Sequence, residues 1–139
     1  MNVLKKFLII SFIALILNAI WEFSHSLLYV HLSEIPKYLH LIIASFGDMV
    51  TIMGIFTIVS LKNRNLKWIK SPRKSDYLLI GFLGLAIAVF IEVINLNLGR
   101  WAYTAAMPTI FGIGISPLIQ LALTGVASLI ILDYIKNSR

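Results

Sequence analysis

The chain has 139 residues, 59% of them apolar and only 13% charged, with no cysteine and a formal net charge of +6. A soluble domain carries about 45–50% apolar and about 25% charged residues, so one soluble core is a poor account of this chain, and a mean hydropathy of +0.90 points to a membrane protein. The lack of cysteine excludes a disulfide framework and a thiolate metal site. The basic excess, which in a soluble protein would suggest nucleic acid, reads here as topology and contact with anionic lipid; no nucleic-acid partner is expected.

Four apolar runs follow one another. The first covers residues 7–30. Lys5 and Lys6 before FLIISFIALIL resemble the start of a signal peptide, but the apolar run continues past any cleavage point, and Leu17 and Ala19 make a poor cleavage pair. The run carries Asn18, Trp21, Glu22, His25 and Tyr29, which at 100° per residue share one side of a helix with Ser11. Glu22-Phe-Ser-His25 is an E-x-x-H, the half-motif that di-iron carboxylate bundles use twice. A second copy is absent from this sequence. A metal held by Glu22, His25, Asp48 and Glu92 is therefore not favoured, and an imidazole hydrogen-bonded to a carboxylate is the expected arrangement. His31 and His40 flank the short connection that follows, where water should reach them.

The second run covers residues 39–61 and places Ser45, Asp48 and Thr51 on one side. Next comes KNRNLKWIKSPRKSD, residues 62–76, with six Lys/Arg and one acid, expected as a loop or short surface helix over anionic headgroups. The third run, residues 77–98, carries Glu92, Asn95 and Gly99 on one face. GRWAYTAAMP then connects to the fourth run, residues 109–135. In that connection Trp101 and Tyr103 suit the interfacial belt or a lid, and Arg100 suits an anionic group or the neutralisation of Glu92 or Asp48. The fourth run repeats Ser116, Gln120 and Thr124 every four residues. Gly112, Gly114 and Pro117 near its beginning predict an irregular start or a kink.

Each run is long enough to cross about 30 Å of hydrocarbon at about 1.5 Å per residue. Ten of the twelve basic residues sit before the first run, between the second and third, or after the fourth. By the positive-inside rule both termini are cytoplasmic. The expected architecture is therefore all-α: one antiparallel four-helix transmembrane domain in the cell membrane, N-in and C-in, with a homodimer plausible. In that orientation Glu22, His25, Asp48, Glu92, Asn95 and Gln120 fall at similar depth in the outer half. An ionised acid at mid-helix costs about 2.5–3.5 kcal/mol on insertion scales, so these acids need partners or protons and are expected to face a wet interior.

The string N-x-x-W-E-x-x-H of the first run, Gly47-Asp48, and E-x-x-N-x-x-x-G-R-W-x-Y from Glu92 to Tyr103 resemble a family of small four-span prokaryotic membrane proteins of uncharacterised activity. The chain is more loosely similar to the EXPERA group, which includes the emopamil-binding isomerases, in having four core helices and buried acids, His, Asn and Trp around a lipid-accessible cavity. That resemblance implies proton shuttling by Glu22, His25, Glu92 and Asn95; the short loops here depart from that group.

The residues thus predict an outer pocket that binds a small amphiphile, lipid or isoprenoid. Glu22 or Glu92 would act as acid/base with His25 as partner, and Asn18, Trp21, Asp48, Asn95, Arg100, Trp101, Tyr103 and Gln120 would line the site. A proton- or cation-coupled transporter is the second expectation, with Glu22, Asp48 and Glu92 as its path. Polar residues in the inner halves are few, mainly Ser11, Thr57, Ser60 and Ser128, and this counts against transport. A structural or accessory membrane subunit is the third; it would keep the acids fully paired and have no cavity.

Overall fold

The computed structural model describes residues 1–138; Arg139, counted among the basic residues above, lies outside them. Four long helices dominate: α1 (Val3–His25), α2 (Lys37–Asn63), α3 (Lys74–Asn97) and α4 (Ile115–Asn137). Each is long and apolar enough to cross a membrane. Four two-residue strands, β1 (Tyr29–Val30), β2 (Ala102–Tyr103), β3 (Thr109–Ile110) and β4 (Ile113–Gly114), lie in the connections.

The expected boundaries need two corrections. The first run is not helical to Val30. The α-helix stops at His25 and passes through a 3-10 turn, Ser26–Leu28, into β1. Two hydroxyls take up carbonyls near this end: Ser24 Oγ donates to Ile20 O and Ser26 Oγ to Phe23 O, side-chain bonds that compete with helix continuation. The fourth run is not helical from Thr109. Its first six residues form the β3–β4 hairpin, turning at Phe111 and Gly112, both with positive φ (51° and 79°), the signature of a type I′ turn. Pro117 then falls in the first turn of α4, where its missing N–H costs no helical bond and no kink is needed.

The other boundaries follow from local chemistry. Asn2 Oδ1 accepts from Lys5 N–H to cap α1. Arg64, in the left-handed region at φ 48°, ends α2, and Gly99 at φ 65° follows the end of α3, with Gly99 N–H donating to Leu96 O and Arg100 N–H to Asn95 O. Asp76 joins α2 to α3: its carboxylate accepts from Lys62 Nζ at 2.8 Å, Asn63 Nδ2 at 2.9 Å and Arg73 N–H at 2.8 Å.

One face of each helix is buried. On α1 it is Lys6, Ile10, Ala14, Asn18 and His25; on α3 it is Asp76, Ile80, Gly84, Ala88 and Glu92, one every four residues. A shared apolar core joins Ile10 and Ala14, Ile52, Ile55, Phe56 and Val59, Ile80 and Ala88, and Leu121, Leu129 and Leu132. The opposite faces stay apolar: Leu4, Leu8, Phe12, Ile16, Ile20 and Phe23 form an exposed stripe along α1. A continuous exposed stripe of this kind suits hydrocarbon rather than water. α1 packs on α2 and α4, and α3 packs on α4, whereas α2 and α3 touch much less.

The basic segment 62–74 is more than a charged surface loop. It contains a 3-10 turn, Leu66–Lys70, that buries Trp68 and Ile69 against the core. Trp68 Nε1 donates to Ser60 Oγ at 2.7 Å, and its ring meets Phe56 edge-on. Lys136 Nζ donates to Lys70 O, so the end of α4 closes over the same turn. Trp68→Phe keeps an aromatic ring but deletes one buried bond and part of the buried indole. It is expected to lower stability by about 1–3 kcal/mol, read as a lower unfolding midpoint of the detergent-solubilised protein.

Candidate functional site

Toward the end of the molecule that carries the strands, residues distant in sequence converge on two carboxylate centres. The first is built around Gln120 of α4. Its Nε2 lies 2.9 Å from Glu22 Oε1, 2.8 Å from Asp48 Oδ2 and 3.1 Å from Asn18 Oδ1. One amide group with two hydrogens thus serves acceptors from α1 and α2. Asn18, fully buried, donates to Ala14 O and also receives Thr124 Oγ.

The E-x-x-H spacing brings Glu22 Oε1 within 3.4 Å of His25 Nε2. On the far side of the ring, His25 Nδ1 lies 2.7 Å from Ser116 Oγ, which receives Trp21 Nε1–H at 3.2 Å. The bonds order themselves in one direction. An ionised Glu22 only accepts, so it takes the Nε2 proton; in the neutral ring Nδ1 then accepts from Ser116 Oγ–H, while Ser116 accepts from Trp21. The imidazole is therefore fixed in orientation and in tautomer when neutral.

The second centre is Glu92 of α3, 4% exposed. Its carboxylate accepts from Trp101 Nε1–H at 3.3 Å, from Tyr29 OH at 3.4 Å and from the Tyr103 hydroxyl. All three donors are neutral and aromatic. They are delivered by the pairing of β1 with β2, which sets Tyr29 opposite Tyr103 and is extended by Thr104 N–H donating to Leu28 O. Tyr29 packs edge-on against His25, Trp101 and Tyr103, linking the two centres. Burial, reinforced by the adjacent Glu92 carboxylate, keeps the Tyr103 hydroxyl protonated well above the ordinary phenol range.

A cavity of about 380 Å³ opens between these centres along the loose α2–α3 seam. Glu22, Asp48, Glu92 and Gln120 line its interior; Leu41, Ile43, Ala44, Ala88, Ile91 and Leu121 supply apolar wall; His31, Lys37, His40 and Arg100 stand around it toward the connections. Glu22 and Asp48 also lie within side-chain hydrogen-bond reach of each other. No buried side-chain polar atom among the described residues is left without a partner.

Of the expected site residues, Glu22, His25, Asp48, Glu92, Arg100, Trp101 and Gln120 line this cavity, whereas Asn18, Trp21, Asn95 and Tyr103 stand behind it as hydrogen-bond supports or apart from it. Arg100 does not neutralise Glu92 or Asp48. It is exposed and donates to Asn95 Oδ1 at 3.2 Å, while Asn95 Nδ2 is tied to Ile91 O. Ser116 and Tyr29 belong to the network although neither was singled out as a site residue. Ser116 carries a signal in the four-residue repeat with Gln120 and Thr124; Tyr29 was placed on a helix face and reaches Glu92 from a strand. His31 and His40, expected as solvated, pack edge-on at 5.8 Å and border the cavity.

Among the described residues no three His, Asp or Glu side chains are arranged to hold a metal ion. The arrangement supplies two adjacent carboxyl groups that line a cavity, an oriented imidazole beside one of them, and a third carboxylate held by neutral donors. These are parts suited to moving a proton to or from a bound molecule. No protein-family model, curated protein or solved structure matches the chain.

Proposed function

We propose that this is a multi-pass protein of the cell membrane, an antiparallel four-helix bundle with both termini cytoplasmic, whose outer half holds a pocket for a small amphiphile, lipid or isoprenoid. Within that pocket Glu22 or Glu92 exchanges a proton with the bound molecule. His25 is the partner of Glu22, and Asp48 and Arg100 set the local field. One observation carries the reading: a partly open cavity, mainly apolar in its walls, reaches Glu22, Asp48 and Glu92 from three different helices. A subunit that used its acids only to hold helices together would have no such space.

The same cavity weighs against a transport path. On the side away from the strands, the space among the four helices is filled by Ile10, Ile52, Ile55, Phe56, Ile80, Leu129 and Leu132. The nearby hydroxyls of Ser60 and Ser128 are spent on the carbonyls of Phe56 and Thr124. A pocket closed at one end fits binding or chemistry better than passage.

Gly47 gives a direct test. It lines the cavity, and a Cβ built on it meets nothing within 4 Å, so Gly47→Phe fills the space without strain in the helix. Lipid extracted from wild-type protein, purified in native membrane discs and analysed by mass spectrometry, is expected to contain an enriched amphiphile that falls at least tenfold in Gly47→Phe. Equal lipid profiles would remove the pocket. For the chemistry, Glu22→Gln and Glu92→Gln are expected to abolish conversion of that amphiphile while the protein stays folded. Full activity in both would leave a binding protein and end the acid/base assignment.

A further inference from the structure

The cavity is polarised along its length. Its carboxylates lie deep and its cations lie at the mouth. Lys37, at the start of α2, and Arg100, in the connection after α3, are both exposed, and neither forms an ion pair among the described residues. His31 and His40 stand beside them; Glu34, in the same connection, does not line the cavity. The α2 N-terminus opens at this mouth as well. Its first intrahelical bond is His40 N–H to Pro36 O, so the N–H groups of the residues before it remain unpaired within the helix and add the positive end of the helix dipole.

Depth gives the rest of the ligand. Lys37 and Asp48 lie on the same helix, separated by about 16 Å at the α-helical rise. Between them the walls are Leu41, Ile43, Ala44, Ala88 and Ile91, with the Glu92 carboxylate beside Ile91 already held by Trp101, Tyr29 and Tyr103. A short zwitterionic headgroup does not reach from the cations to the carboxylates over that distance. An anionic headgroup followed by hydrocarbon does. A cavity of about 380 Å³ falls at the lower end of the roughly 300–1,000 Å³ range of single-ligand pockets, which suits one chain.

On the pocket reading above, we infer that the ligand is a single-chain amphiphile with a phosphate headgroup. The phosphate sits at Lys37 and Arg100, and the chain runs inward past Glu22 and Asp48. Phosphate suits this mouth because it accepts from several donors at once, matching a guanidinium, an ammonium and first-turn N–H groups together. A cationic headgroup at the mouth would face Lys37 and Arg100 directly, and a neutral alcohol would leave their attraction unused.

The test uses the full chain in detergent, with Trp101 of the cavity wall as a fluorescent reporter and dodecyl phosphate, dodecanol, dodecylamine and inorganic phosphate as probes. Dodecyl phosphate is expected to bind at least tenfold more tightly than dodecanol or dodecylamine. Its advantage should shrink as salt is raised, since the mouth is exposed. The double variant Lys37→Gln/Arg100→Gln, checked for an unchanged unfolding midpoint, is expected to bring dodecyl phosphate down to the dodecanol level. Equal binding of the three dodecyl probes, or a preference for the amine, would overturn the headgroup assignment. If Gly47→Phe still weakened all three, the pocket itself would stand. Loss of every dependence on Gly47→Phe would sink the pocket reading as well. Inorganic phosphate binding as tightly as dodecyl phosphate would make the site one for a free anion and end the proposal for a chain.

Discussion

Gln120→Leu is expected to lower stability by about 3 kcal/mol. The substitution preserves most of the side-chain volume and removes the amide donor shared by Glu22, Asp48 and Asn18. Hydrogen bonds to charged groups are worth about 1.5–3 kcal/mol each, and a partner left without its donor adds a desolvation cost of similar size. Interhelical bonds within membranes fall at the lower end, about 0.6–2 kcal/mol, and Glu22 retains His25, so the estimate stays near the middle of these ranges. Chemical or thermal unfolding in detergent reads the effect. A second signature separates a shared donor from simple loss of packing. If Gln120 acts through Asp48, then Asp48→Ala, which removes the acceptor, must cost measurably less in the Gln120→Leu background than in wild type. Additive costs would mean that the amide does not hold the carboxylate.

Gly84→Ala is expected to be as damaging, for a reason of space alone. A Cβ at position 84 would stand 2.6 Å from Ala122 N and 2.7 Å from Ala122 Cα, both backbone atoms of α4. No rotamer relieves that overlap, so α3 and α4 must separate, breaking the most extensive helix contact in the molecule. Overpacking costs typically about 1–3 kcal/mol and more where the backbone must move; about 3 kcal/mol is expected here. Gly81, one turn earlier on the same helix, is the control. A Cβ there meets nothing within 4 Å, so Gly81→Ala is expected to be neutral or to stabilise by about 0.5–1 kcal/mol through helix propensity. Equal effects at the two positions would refute the close α3–α4 approach.

Four long apolar helices were legible because hydrocarbon demands length and apolarity, and both are written residue by residue in the chain. The helix-face argument for α1 also held where it rested on period: Asn18, Glu22 and His25 do lie on the inward side. It failed where the period stopped applying. Tyr29 continues the same angular series on paper, yet the helix ends four residues earlier, and the tyrosine reaches Glu92 from β1. No local pattern announces a two-residue strand whose partner lies some seventy residues away. The β3–β4 hairpin is apolar enough to pass for the start of a span, and only Gly112 hints at its turn. Charge alone lets Arg100 meet either an anionic group or the Glu92 or Asp48 carboxylate, and the turn after Gly99 sets it beside Asn95, away from both acids. Trp68 lies in a segment whose basic composition suggests surface; the 3-10 turn that buries it starts from the Asn65 cap, just after Arg64 ends α2, and composition reveals neither.

The amide that serves the α1 and α2 carboxylates also sets a timetable. Gln120 follows Asp48 by 72 residues and Glu22 by 98. At ribosomal rates of about 5–20 residues per second, the nascent α1–α2 pair therefore exists for roughly 4–14 s before its donor is made. During that interval two acidic groups reside in a half-built hairpin without the partner that settles them. Insertion of this chain must then hold the early helices in a water-accessible or chaperoned setting until the last one emerges, and truncation before position 120 should yield a product that the cell's membrane quality control removes.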